Sequence, residues 1–213
     1  MKYIFSSILL LFCLTTINAQ TIQDVILTIP DDVVVGLTTE QKTQLCADPA
    51  TDSVAVENVL NGQIIRLAIS NDYVSLQTSD VGTTQIKILP LVNDTKILAV
   101  VKTVCSDACD SRIQFYTLDW RLLPEQSLLP IRTFDWFIKQ DIDRQSSDFK
   151  DAIKAVDMNP ILLNFSPTDY SLTADSEIGN YISSEDYAGL ASFLTGKPKV
   201  FVWDKISFKG KSN

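Results

Sequence analysis

Between Lys96 and Trp120 two β-rich runs, Lys96-Ile-Leu-Ala-Val-Val-Lys-Thr-Val-Cys105 and Arg112-Ile-Gln-Phe-Tyr-Thr-Leu-Asp-Trp120, bracket the polar segment Ser106-Asp-Ala-Cys-Asp-Ser111. β-Branched and aromatic residues fit a pleated, half-buried strand, and a short polar gap between two such runs closes a hairpin. Cys105 and Cys109 flank its tip with only Ser106, Asp107 and Ala108 between them. Antiparallel pairing brings such positions within bridging distance, so a Cys105–Cys109 disulfide is expected to pin the register.

The chain upstream of the hairpin reads as further strands with turn residues between them. Strands are expected over 54–60, 63–70, 73–78 and 84–91. Asn61-Gly62, Val81-Gly82 and Asn93-Asp94 supply residues tolerant of positive φ between them. Short strands joined by short turns make an antiparallel meander. Two helices precede it. Ile22, Val25, Ile26 and Ile29 share one helical face before Pro30, and Thr38-Thr-Glu-Gln41 is a capping box. Beyond it, Arg121 to Pro130 is expected to leave the sheet, because Pro124 and Pro130 can neither donate to a ladder nor sit inside a helix. Ser147 is expected to cap a helix bearing Phe149, Ile153 and Val156, and Ser183 or Ser184 one running to Leu194, ended by Gly196 and Pro198. Strands are expected over 160–165 and 170–174, with a last strand from Lys199 to Phe208 closing the sheet. The fold class expected is therefore α+β, an antiparallel β-meander with short helices packed on one face. Asp72-Tyr73-Val-Ser75-Leu76 and Asp169-Tyr170-Ser171-Leu172 echo each other, a match too short to establish a duplicated unit.

The first nineteen residues have the form of an export signal. Lys2 gives a positive start, Ile4 to Leu14 is an apolar run too short to span a bilayer, and Ala19 is a small residue at the expected cleavage point. Leu11-Phe12 before Cys13 does not fit a lipoprotein signal, so the product is expected to be periplasmic or secreted, without a lipid anchor and without a transmembrane segment. The organisation expected is a signal peptide over 1–19, helices plus antiparallel sheet over 20–124, and a helix-strand part over 125–213 of the same compact domain. The 213 residues less that leader leave 194, enough to bury roughly 70% of the unfolded surface in one domain. The chain carries 18 Lys and Arg against 26 Asp and Glu, a formal charge of −8 that becomes −9 without Lys2. That balance argues against nucleic acid and anionic membrane surfaces, which repel it.

Ile-Pro-Asp-Asp near position 30, Asn71-Asp-Tyr-Val-Ser-Leu, Lys87-Ile-Leu-Pro-Leu91, Val101-Lys-Thr-Val-Cys-Ser-Asp-Ala-Cys-Asp110, Phe115-Tyr116 and Asp119-Trp-Arg-Leu-Leu-Pro124 together resemble an uncharacterised family of exported proteins from Bacteroidales bacteria, a domain of unknown function. The resemblance runs from about Ile22 to Pro124. It implies an exported protein and a mixed helix and antiparallel-sheet domain, with a cone-shaped sheet similar to the nuclear-transport-factor-like superfamily. It brings no active site with it.

Chemistry is mostly excluded. The chain has no histidine, so Ser-His and Cys-His nucleophile pairs and histidine-ligated metals are impossible. A zinc site would need Cys46, Cys105, Cys109 and a carboxylate together. Cys46 reads instead as a small buried hydrophobe near a helix end. Gly196-Lys197 lacks the rest of a phosphate loop, and Ser147-Asp-Phe-Lys150 lacks the companions that would make its S-x-x-K spacing catalytic. Asp141-Ile-Asp143 opens like a calcium loop, then places Ser146 and Ala152 where glycine and glutamate belong. No metal and no cofactor are expected. Asp107, Asp110, Asp141, Asp143 and Asp148 fall in turn-like stretches where solvent keeps carboxylates ordinary. Among Trp120, Trp136 and Trp203, Trp120 ends its expected strand and is the candidate for a partly exposed binding aromatic. The function expected is a non-catalytic binding or structural module of the cell envelope, with an unknown protein or envelope component as partner. The alternative is a glycan-related protein, either a carbohydrate binder or a carboxylate-based glycoside hydrolase.

Overall fold

The computed structural model describes residues 20–47 and 53–211; the leader expected over 1–19, with its cleavage point, lies outside the described residues. Helix α1 (Ile22–Leu27) and helix α2 (Thr39–Leu45) each begin on a capping box, Thr21 with Asp24 and Thr38 with Gln41. Seven strands follow: β1 (Val54–Glu57), β2 (Gln63–Ile69), β3 (Tyr73–Gln77), β4 (Gly82–Pro90), β5 (Lys96–Cys105), β6 (Cys109–Thr117) and β7 (Leu122–Leu123). They lie side by side in chain order, every neighbouring pair antiparallel. The expected α+β meander is borne out. Asn61 and Asp94 take φ of 60° in its turns.

After 3-10 turns at Glu125–Ser127 and Phe134–Phe137 come helix α3 (Ser147–Ala152), strands β8 (Ile161–Phe165) and β9 (Ser171–Ser176), helices α4 (Ile178–Tyr181) and α5 (Ser184–Ala191), and strands β10 (Lys199–Trp203) and β11 (Phe208–Gly210). The last four strands form a second sheet in the order β11-β10-β9-β8. The two sheets enclose a core. Along β5, Ile97, Ala99 and Val101 face one apolar cluster with Phe165, Leu172 and Phe201 of the second sheet, while Leu98 and Val100 face another with Ile22, Ile26 and Leu45 of the first helices. That alternation is the two-residue period of a strand buried on both sides.

Several expectations are corrected. The expected last strand from Lys199 to Phe208 is two strands, because Asp204 Oδ1 accepts from the N–H groups of Ile206 and Ser207 and Lys205 takes φ of 73°, a side-chain-built turn. The segment after Arg121 does not leave the sheet at once, since Leu122 and Leu123 pair with Tyr116 and Phe115. The helix expected to reach Leu194 ends at Ala191, and Ser146 rather than Ser147 caps α3. Gly82 needs no positive φ and begins β4. Trp120 does not end its strand: β6 stops at Thr117, and Trp120 sits in the following turn at φ 63°.

Candidate functional site

The hairpin tip is as close as the sequence requires. Cys105 and Cys109 are paired in register and their sulfurs lie 2.09 Å apart, at disulfide distance. Glu177 Oε2 accepts from the Cys109 N–H at 3.3 Å and from Asn180 Nδ2 at 2.9 Å, so this carboxylate is committed to the hairpin tip. Cys46 is half-buried with Sγ 3.7 Å from the Gln23 carbonyl, and burial raises its thiol pKa. That leaves it a poor nucleophile. Trp120 folds back on α1, its indole N–H donating to Thr28 Oγ1 at 3.1 Å and its ring edge-on to Tyr116 at 5.6 Å. These contacts offset the cost, of order 1 kcal/mol or more, of a bulky residue in left-handed backbone.

The acids singled out in the sequence do not converge. Asp110 pairs with Arg132 at 2.8 Å and accepts from the Ile161 N–H at 3.0 Å. Asp143 accepts from the Gln145 N–H at 2.9 Å, and Asp148 from Ser147 Oγ at 3.1 Å. Among the described residues no group of three or more Cys, Asp or Glu is placed to hold a metal ion.

The structure instead opens a groove of about 760 Å³ beside the β10–β11 edge of the second sheet, lined by Lys139, Lys197, Lys199 and Lys211 with Asp135, Asp141, Trp136 and Gly210. Three local features build it. Backbone bonds from Lys139 N to the Phe193 carbonyl (3.0 Å) and from Thr195 N to the Phe137 carbonyl (2.8 Å) join the segment after the second 3-10 turn to the chain leaving α5. Gly196 at φ 61° and Pro198 then turn that chain into β10. Lys199 precedes the buried Phe201 by two residues and so emerges on the same face, where Trp136 packs edge-on to Phe201 at 4.7 Å. Gly210 leaves the space that the Lys199 stem fills, since a Cβ there would come 3.2 Å from Lys199 Cε.

The charges along this wall are uneven. Lys139 Nζ donates to the Ser192 carbonyl at the end of α5 at 2.6 Å, and Asp135 is paired with Arg144 at 2.7 Å. Lys197, Lys199 and Lys211 form no ion pair among the described residues. A smaller recess of about 160 Å³ adjoins the groove and shares Thr195, Lys197 and Pro198 with it; Asp175, Ser176 and Tyr187 also line it. Burial first, and then the Glu177 charge, push the Asp175 carboxyl above its ordinary pKa. Gly179 yields to the Tyr187 ring, which would lie 3.0 Å from a Cβ at that position. None of the groove lysines, nor Asp175, was singled out from the sequence as a binding residue. The C-terminal run of lysines at 197, 199, 205, 209 and 211 against the single acid Asp204 was the signal available.

No curated protein matches the chain. It is similar to a solved structure described as a domain of an uncharacterized protein from Porphyromonas gingivalis W83, with a TM-score of 0.80 and 24% identity over 90% of this chain and 98% of that one. That likeness shows the fold alone. A family model matches residues 14–208, nearly the whole chain, and the protein therefore belongs to the family described as "Protein of unknown function (DUF3256)".

Proposed function

We propose that the chain is an exported, non-catalytic binding module of the cell envelope that holds its ligand in the lysine-lined groove. The observation that carries this reading is the groove itself: in a chain of net charge −8, three lysines with no ion pair among the described residues line one open groove. Local reversal of charge in a concave site focuses the field on a ligand. Export is supported by the form of residues 1–19 and by the Cys105–Cys109 pair, since disulfides persist in oxidising compartments. Among the described residues no helix is long and apolar enough to cross a membrane.

The hydrolase alternative is the weaker one. It needs two free facing carboxylates, and of the acids in and beside the groove Asp135 is paired with Arg144 and Glu177 is held by the Cys109 N–H and Asn180, while Asp141 and Asp175 line different recesses. The test is a pull-down from the native envelope fraction with the mature chain and with the double variant Lys197→Glu/Lys211→Glu. An envelope component retained by the first and lost by the second supports the reading; equal retention by both places the binding elsewhere. Alkylation without reductant followed by mass spectrometry on the same exported protein should leave Cys105 and Cys109 unlabelled. Finding both labelled removes the support that the pair lends to export.

A further inference from the structure

We infer that the groove takes a sparsely charged acidic glycan, an extended run of sugars carrying carboxylates, an inference that rests on the groove being the binding site. The volume, about 760 Å³, lies within the roughly 300–1,000 Å³ typical of small-ligand clefts and leaves room for a short run of sugar rings. Three properties select the chemistry. First, the groove cations with no ion pair among the described residues are all lysines, compact point charges suited to single carboxylates; among the lining residues there is no arginine fork of the kind that grips phosphates bidentately. Second, the partly buried Trp136 lines the same groove as these lysines and offers an aromatic surface against which a sugar ring can pack.

The third property sets the charge density. Asp141 in the groove and Asp175 in the adjoining recess interrupt the cationic wall. Duplex DNA, with one charge per about 1.7 Å of its axis, would be forced against these carboxylates and repelled by the acidic body of the protein. A glycan with one carboxylate per sugar or per two sugars can set its charges on Lys197, Lys199 and Lys211. Its hydroxyls then face Asp175, Ser176 and Thr195 as hydrogen-bond partners.

The inference is tested by isothermal titration of the mature chain with three uronate polymers of different linkage: polygalacturonate, alginate and hyaluronan. Fully methyl-esterified polygalacturonate serves as the uncharged control and duplex DNA as the dense polyanion. At least one uronate should bind, with affinity falling as salt is added. It should weaken roughly tenfold or more in Lys197→Glu/Lys211→Glu, the scale of a modest loss of binding free energy. Lys150→Glu, on exposed α3, should leave it unchanged. Circular dichroism checks that the variants fold, and Lys199→Gln/Lys211→Gln gives the same reading without added negative charge. Equal binding of the methyl ester, tighter binding of DNA, equal weakening in Lys150→Glu, or no binding of any uronate each overturns the inference. If all uronates fail while an envelope component is still retained in a Lys197- and Lys211-dependent way, the ligand class is wrong and the binding reading stands. If that retention does not depend on the lysines, both fall.

Discussion

Lys87 is 1% exposed and yet charged, and what surrounds it explains why such a residue survives inside a sheet. Its ammonium lies 2.9 Å from Asp72 Oδ1 and 3.1 Å from the Ser166 carbonyl, with the rings of Tyr73 and Tyr170 at 5.8 and 5.3 Å. The two echoing stretches Asp72-Tyr73 and Asp169-Tyr170 thus meet at one cation, pinning the loop before β9 against β3 and β4. Asp175 is the opposite case, a carboxylate with too little support. Its raised folded-state pKa means that the fold tolerates the neutral acid better than the anion. The cost is absent below the ordinary value of 3.8 and appears as pH rises through the folded-state pKa. Asp175→Asn should therefore raise Tm at pH 7 and lose that advantage near pH 3; an equal gain at both pH values, or none at pH 7, contradicts the assignment. Little of the candidate site was legible in the sequence. Lys139 lies far upstream of the lysines at 197, 199 and 211, that C-terminal run reads as a solvated basic end, and a net negative total hides a local reversal. The candidate aromatic Trp120 is spent on Thr28 and Tyr116, while Trp136, passed over in favour of Trp120, lines the groove.

Strand β8 is an edge whose outward N–H groups are not left bare. Ile161, Leu163 and Phe165, alternate residues facing the same edge, donate to Asp110 Oδ1 at 3.0 Å, Ser111 Oγ at 2.9 Å and Gln85 Oε1 at 2.9 Å, all side chains of the seven-stranded sheet. Edge strands invite foreign pairing, and here side chains from β4 and β6 occupy the positions another strand would take. Ser111 is fully buried and also shares a hydrogen bond of 2.8 Å with Thr103. Ser111→Ala leaves both partners unpaired in the interior and should cost about 1–3 kcal/mol in urea unfolding, whereas exposed Ser147→Ala should stay within about 0.5 kcal/mol of the parent. A Ser111→Ala protein as stable as the parent would mean water replaces the hydroxyl. The meander was readable because its turns are written locally, in Asn61, Asp94 and the hairpin tip. The suture was not, since Gln85 and Ser111 look like ordinary polar positions on alternating strands until β8 is laid beside them. The division of β10 from β11 was missed for a related reason. Val200 and Val202 continue a clean alternation, and the break depends on one aspartate side chain, Asp204, turning back on its own backbone.

At the scale of the whole molecule, β4 and β5 are buried on both faces, by α1 and α2 on one side and by the second sheet on the other. The part after Pro124 therefore serves as a cover for the first sheet. Without it Leu89, Ala99, Val101, Ile113 and Phe115, each now fully buried, would face water together. Large exposed apolar patches drive association, and residues whose burial is shared across two segments unfold together. The mature chain should accordingly unfold in one cooperative step. Far-UV circular dichroism, dominated by strands of both sheets, and tryptophan fluorescence, weighted to Trp136 and Trp203 in the later part, should give coincident urea curves. Residues 20–124 expressed alone should aggregate or remain without fixed packing, although they contain a complete seven-stranded meander. Two separated transitions, or a monomeric and cooperatively folding 20–124 fragment, would mean that the faces are joined loosely and that the side-chain bonds from Asp110, Ser111 and Gln85 to β8 do not couple the two parts.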